Sequence, residues 1–232
     1  MQNKVFFWRL TRYYSWYTVC FIAFLFVLAM LEYQGMPRAW IGYLFMFVTI
    51  ALYACIGLLS RTADVPEYYV AGRRVPALFN GMATAADWIS AATFISLAGG
   101  LYLMGFDGLA YIMGWLGGYC LVAFLIAPYL RKFGQYTVAD FLATRYTGHY
   151  PNIIRILTVI ATIIISFTYV VAQIYGVGLI TSRFTGIDFS IGIFLGLASI
   201  LVCSFLGGMR AITWTQVAQY IIILFAYLIP VI

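Results

Sequence analysis

Charged residues are scarce in this sequence. Only 9% of its 232 residues are Asp, Glu, Lys or Arg, and 65% are hydrophobic. Soluble domains usually carry about 25% charged residues. An apolar run of about 17–25 residues is long enough to cross a bilayer as a helix. The composition therefore excludes an ordinary soluble domain and predicts an all-α polytopic membrane protein.

Groups that carry enzyme chemistry are scarce as well. The sequence has one histidine and four cysteines, without the CxxC or Cys/His spacing of a metal site. No nucleophile stands beside a candidate base. All four cysteines fall inside apolar runs, where we expect unpaired, buried thiols that behave as small hydrophobic groups. We therefore expect no catalytic residues, no enzyme activity and no resident cofactor.

Apolar runs occupy most of the chain and predict about seven transmembrane helices. Six runs lack any charge, and the seventh, residues 81–106, contains Asp87 alone. The predicted spans are residues 13–31, 39–60, 81–106, 108–130, 156–182, 189–209 and 211–232.

Basic residues are distributed unequally between the two ends of these spans. With the N-terminus on the cytoplasmic side, 11 of the 13 basic residues fall in inner segments, and only Arg38 and Arg183 fall outside. Positive residues are retained on the cytoplasmic side of membrane proteins. The pattern predicts a cytoplasmic N-terminus. It also accounts for the net charge of +6 with the lipid bilayer as partner and without nucleic acid.

Asp87 is the most informative single residue. A carboxylate at membrane depth costs a few kcal/mol even on lenient insertion scales, so it usually faces a bundle interior or a water-filled cavity. Polar interruptions of spanning helices are where transporters hold ions and substrates. The residue therefore points to membrane transport.

Other polar and small residues suggest local structure. Thr137 or Asp140 could cap a short inner helix, and Asp140 could form a weak surface pair with Arg145. We expect close helix packing at Gly176 and Gly178 and at the small-residue pairs Gly114/Gly118 and Gly192/Gly196.

Four motifs, in order, resemble the sodium:solute symporter family. They are EYYVAGRR at 67–74, GMATAADWISAATFISLAG at 81–99, GQYTVADFLATRY at 134–146 and FLGGMRAITWTQVAQ at 205–219. The resemblance implies the LeuT-type inverted-repeat fold. It divides the chain into two peripheral helices (1–60), an interfacial cytoplasmic segment (61–80) and core helices one to five (81–232). The second repeat would then be missing, so we expect an amino-terminal portion of a longer protein.

The resemblance also assigns candidate site residues. The backbone carbonyls of Ala86 and Ile89 would bind Na⁺, and Asp87 would take part in ion coupling. The substrate cavity would be lined by side chains from core helices one and three: Trp88, Ser90, Thr93, Tyr169 and Gln173. Arg210 is expected to be an interface anchor rather than a substrate ligand. Gln216 departs from the aspartate that sugar symporters of the family place there.

The expected function is sodium-coupled symport of a small organic anion by alternating access. The sequence is most similar to the bacterial branch containing cation/acetate permeases, which implies acetate or a similar monocarboxylate and a bacterial inner membrane location. Two alternatives stay open. One is the membrane sensory module of a symporter-like signalling protein, and the other is an inactive truncated transporter.

Overall fold

The computed structural model describes residues 2–146 and 151–229, which contain helices and turns and no β-strand. The α-helices are α1 (Gln2–Tyr33), α2 (Arg38–Leu59), α3 (Val65–Val70), α4 (Ala77–Trp88), α5 (Leu97–Met104), α6 (Leu109–Leu121), α7 (Ala127–Phe133), α8 (Val138–Arg145), α9 (Pro151–Thr185) and α10 (Phe189–Leu228). Two compact units are present. One contains the chain up to Ser90 and from Val177 onward, and the other is Ala91–Gly176.

The helices confirm an all-α polytopic membrane protein. Five helical stretches in the described residues are long and apolar enough to cross a membrane: Lys4–Tyr33, Arg38–Leu59, Thr93–Phe133, Asn152–Thr185 and Gly207–Leu228. Phe189–Ala198 is a shorter apolar helix. Two predicted spans, 81–106 and 108–130, run into one another through a 3₁₀ turn at Gly105–Gly108.

Helix α1 begins well before the apolar run that predicts it. It starts at Gln2 rather than at residue 13, so Lys4, Arg9 and Arg12 lie on its first three turns. Long basic side chains are good helix formers and can reach the headgroup region from a helix end. The helix stops at Gly35, whose φ of +89° suits glycine.

The core of the first unit lies where α4 and α10 meet. Phe79 and Ala83 are one turn apart on α4, and both are buried with Val217 of α10. Helix α1 covers this core from the side: the Tyr14 hydroxyl donates to the Trp214 carbonyl at 2.9 Å. Burial of this aromatic cluster fixes α4 against α10.

Helix α10 changes direction at Gly208. Its φ of +52° and ψ of −144° lie outside the helical region, in a region that is essentially accessible to glycine alone. A Cβ atom at this position would lie 2.6 Å from the Tyr68 carbonyl oxygen. Glycine is therefore required both for the kink and for the close approach of the chain before α4.

The second unit contains two π-helical turns, Ala92–Ser96 and Val122–Ile126. The second precedes Pro128, which has no N–H to donate to a regular helical ladder. Thr137 caps α8, as predicted, because its hydroxyl accepts from the Asp140 N–H at 3.1 Å. The predicted pairing of Asp140 with Arg145 is wrong. Arg155, at the start of α9, is 3.0 Å from the Asp140 carboxylate instead.

Glycine packing follows the prediction at some positions only. A Cβ at Gly176 would be 2.9 Å from the Ala91 Cβ, and one at Gly196 would be 2.6 Å from Val177. A Cβ at Gly114 or Gly118 meets no heavy atom within 4 Å in the part of the chain that the structure describes. The first two glycines are therefore at close contacts, whereas the Gly114/Gly118 pair is not.

The cysteines differ from the expectation in one respect. Cys20, Cys55 and Cys120 are unpaired, as expected, but they are exposed rather than buried. Each lies on an apolar span, so an exposed side chain at that depth would face hydrocarbon. The side chain of Cys203 lies outside the described residues.

Candidate functional site: a helix break beside Asp87

The helix that the resemblance identifies as the first core helix is interrupted one residue beyond Asp87. Helix α4 ends at Trp88, Ile89 has a non-helical ψ of 81°, and the helix resumes beyond Ser90. The Ser90 N–H donates to the Trp88 carbonyl at 3.0 Å, two residues back. In a continuous helix it would donate to the Ala86 carbonyl, four residues back. The Ser90 N–H is therefore not bonded to the carbonyl of Ala86, which is one of the two predicted sodium ligands.

Asp87 is held by a residue from the far end of the chain. The side-chain amide of Gln216 donates from Nε2 to the Asp87 Oδ1 at 2.7 Å. An ionised carboxylate only accepts hydrogen bonds, so the amide nitrogen must be the donor. Hydrogen bonds to charged acceptors are about twice as strong as neutral ones. Asp87 is otherwise exposed, which leaves its second oxygen open to a ligand.

Packing between α4 and α10 places these two side chains together. Ala86 is buried, like Phe79 and Ala83 on the preceding turns of α4. Val217 is fully buried on α10, and Gln216 is its neighbour. A small residue at 86 lets the helices come close at the height of the break. Any larger side chain there would push α10 and its amide away from the carboxylate.

Helix α1 supports α10 from a different face. The Tyr14 and Tyr17 hydroxyls donate to the carbonyls of Trp214 and Ala218 at 2.9 and 3.3 Å. Successive residues are about 100° apart around a helix. Gln216 therefore lies about 200° from both of those positions. Helix α1 therefore supports α10 on the side opposite Gln216, and the amide stays directed towards α4.

The predicted cavity residues fall in both compact units. Trp88 and Ser90 belong to the unit that contains Asp87, whereas Thr93, Tyr169 and Gln173 belong to the other. Tyr169 and Gln173 are one turn apart on α9, on the same side of the helix. A cavity shared by the five residues remains a prediction.

Gly176 lies at a close contact within the second unit. Its close contact is with Ala91, the first residue after the interruption. Gln173 lies three residues earlier on α9, near the same face. Within the second unit, α9 thus approaches the chain at Ala91. The small residue at 176 permits that approach.

A second charged cluster, not predicted from the sequence, lies near the start of the straight part of α10. We call it the inner cluster, and it consists of Glu67, Arg74 and Arg210. Glu67 forms an ion pair with Arg74, and its other oxygen is 3.8 Å from Arg210 Nε. The Glu67 side chain is only 12% exposed. A carboxylate buried to this extent needs such partners.

The turn after α3 builds the inner cluster. Ala71, Gly72 and Arg73 all have positive φ, between 48° and 62°. A Cβ at Gly72 would lie 2.7 Å from the Glu67 Oε1. This turn folds the motif at 67–74 back onto its own glutamate and directs Arg74 to it. Arg210 is therefore part of an ion-pair network as well as a basic residue at a span end.

The helical membrane fold and the broken helix beside a held carboxylate agree with the motifs that resemble the sodium:solute symporter family. The sodium:solute symporter family profile matches residues 68–232, which is more than half of the chain. The chain belongs to the sodium:solute symporter family.

The relatives agree with this assignment. The chain is 60% identical over 226 residues to an uncharacterized symporter of Cupriavidus necator. The match covers 96% of this chain and 33% of that protein, so the chain spans about a third of the length of this curated relative. No solved structure matches the chain. The family is one of transporters rather than enzymes.

Proposed function

We propose that the full-length protein is a sodium-coupled symporter that takes up a small organic anion by alternating access. The break after Trp88, with Asp87 held beside it by Gln216, is the observation that carries this proposal. The break supplies backbone oxygens outside the helical ladder, and Asp87 supplies negative charge. Together they have the chemistry of a monovalent cation site in a bilayer.

Sodium is a hard cation that takes oxygen ligands. The Ala86 and Ile89 carbonyls would contribute two of these ligands, and carbonyls of unwound helices coordinate Na⁺ in inverted-repeat transporters. Asp87 would attract the cation and tune the site, either directly or through water. The remaining ligands would come from a second inverted repeat outside this chain.

The substrate proposal rests on chemistry at the same break. A half-helix that begins there presents N–H groups and the positive end of its dipole, which favour an anion. Trp88, Ser90, Thr93, Tyr169 and Gln173 would line the cavity. Their mixture of hydroxyl, amide and aromatic groups suits a short monocarboxylate such as acetate, which needs few polar contacts. Ala92 and Thr93 stand where sugar symporters have groups for sugar hydroxyls.

The proposal is tested with the full-length protein in proteoliposomes. An inward Na⁺ gradient should drive accumulation of labelled acetate, and replacing Na⁺ by K⁺ should abolish it. Asp87→Asn keeps the shape and removes the charge, so sodium-driven uptake should fall by at least tenfold. Asp107→Asn removes a carboxylate from the 3₁₀ turn between α5 and α6 and should leave uptake unchanged. Uptake that ignores sodium would refute the coupling.

A second variant separates binding from folding. Ala86→Leu adds volume at the α4–α10 contact and should reduce uptake in protein that still elutes as a single species on size exclusion. Acetate analogues of increasing chain length then define the substrate. If another anion is taken up in a sodium-dependent way and acetate is not, the sodium proposal stands and the acetate assignment is refuted.

A further inference from the structure

An amphipathic cavity lies within the first unit, apart from Asp87. It encloses about 1000 Å³ between α1, α2, the chain from Ser60 to Val75 and α10. Leu10 and Tyr17 of α1 and Leu52 and Cys55 of α2 contribute to its wall. Most of the lining groups are apolar or aromatic. None of these residues is a proposed sodium ligand or a residue of the proposed substrate cavity.

The polar end of the cavity is the inner cluster. Glu67, Arg74 and Arg210 all line it. Two guanidinium groups share one carboxylate, so the three side chains carry a net charge of +1. The Arg74 side chain is 75% exposed and that of Arg210 is 38% exposed. Both arginines can therefore accept a further anion while they remain paired with Glu67.

The two ends of the cavity lie at different depths. Helix α2 ends at Leu59, and the apolar span of α10 begins at Gly207. The inner cluster is therefore at the boundary of two spans, at headgroup level, whereas Leu52 and Cys55 lie within the apolar span of α2. A ligand that fills the cavity must be anionic at one end and hydrocarbon at the other.

We propose that this cavity binds one anionic phospholipid with a single net negative charge, such as phosphatidylglycerol. Its phosphodiester would meet Arg74 and Arg210, which balances the charge of the inner cluster. An acyl chain would lie against α1 and α2. Basic pockets between transmembrane helices bind lipid headgroups in this way. A free phosphate would leave the apolar wall without a partner.

Native mass spectrometry of the delipidated full-length protein tests the proposal. Phosphatidylglycerol should be retained about fivefold more than phosphatidylethanolamine or phosphatidylcholine with the same acyl chains. The reason is that its headgroup carries one more net negative charge than theirs. Glycerol phosphate, which has the headgroup charge but no chain, should not be retained. Arg74→Gln should abolish the preference. Arg38→Gln removes an arginine that lies outside the cavity lining and forms an exposed ion pair with Glu32. It should leave the preference for phosphatidylglycerol unchanged.

Labelling of Cys55 gives a second readout. Phosphatidylglycerol should slow its reaction with a maleimide, whereas Cys20 on α1, outside the cavity lining, should react at an unchanged rate. Cys55→Trp fills the apolar part and keeps every charge, so it should reduce lipid retention even if Arg74→Gln fails to fold. Equal retention of all three lipids would overturn the proposal. An unreactive Cys55 in delipidated, folded protein would also overturn it, because another part of the full-length protein would then fill the cavity.

Discussion

Replacing Gln216 tests whether its amide positions the carboxylate at the helix break. The hydrogen bond from Nε2 to Asp87 Oδ1 is 2.7 Å long, and a bond to a charged group contributes about 1.5–3 kcal/mol. Because Asp87 is otherwise exposed, water can replace a lost donor, so the lower end applies. Gln216→Ala should therefore weaken the apparent affinity for Na⁺ by about tenfold.

Gln216→Glu is the sharper change because it places a second carboxylate against the first. Two unit charges about 4 Å apart repel by about 4 kcal/mol at an effective dielectric constant of 20. At low pH one carboxyl binds a proton and again donates a hydrogen bond, so the pair is restored. As pH rises the proton is lost and repulsion separates the side chains. Uptake by this variant should therefore fall as pH rises, more steeply than in the wild type.

Uptake and thermal unfolding should be measured together between pH 5.5 and 8.5. The unfolding temperature of Gln216→Glu, relative to wild type, should fall as pH rises, and this readout does not depend on transport. Gln219→Glu, one turn further along α10, is the matched control. Identical pH profiles for wild type and Gln216→Glu, in both assays, would refute the positioning role. A change in the unfolding profile alone would show that Gln216 contacts Asp87 but has no role in sodium binding.

Three further changes test the backbone and packing. Gly208→Ala forces alanine into a glycine-only conformation, at a cost of about 1–3 kcal/mol, and its Cβ clashes with the Tyr68 carbonyl. It should lower the thermal unfolding temperature, whereas Gly118→Ala, in open space, should not. Gly176→Val should separate α9 from Ala91 and reduce uptake, and an unchanged rate would show that the contact is dispensable. Thr137→Ala should destabilise α8 by about 1 kcal/mol, measured as faster hydrogen exchange confined to that helix.

Hydropathy predicts the membrane helices well, and their ends poorly. The apolar runs report which residues can lie in hydrocarbon, but the seven predicted spans correspond to five span-length helices in the described residues. They do not report where a helix starts, because Lys4, Arg9 and Arg12 are compatible with a helix that continues into the headgroup region. The apolar runs also predict two spans where the structure has the single helix α10, which is kinked at one glycine.

The helix break could be anticipated only in part. Asp87 marks the polar region, and the family resemblance places the interruption near it. The interruption itself falls at Ile89 and Ser90, without the glycine or proline that usually signals one. Its position depends on how α4 packs against other elements. A local pattern therefore could not locate it.

The contacts of Gln216 with Asp87 and of Arg210 with Glu67 join distant parts of the sequence. Gln216 follows Asp87 by 129 positions, and no spacing rule connects them. The resemblance implies that sugar symporters have an aspartate at the position of Gln216, but it does not predict the contact of Gln216 with Asp87. With an aspartate, two carboxylates would face each other. With glutamine, the residue becomes a donor to the one carboxylate that remains.

The straight part of α10 connects the two charged sites mechanically. Arg210 contacts the inner cluster and Gln216 contacts Asp87, six residues or about 9 Å apart along one helix. Gly208 lies just before both, so the segment beyond it is bounded by a residue with unusual backbone freedom. Tyr14 and Tyr17 fix the same segment from behind. The Glu67–Arg74–Arg210 cluster and the carboxylate at the helix break are therefore both contacted by one segment of α10.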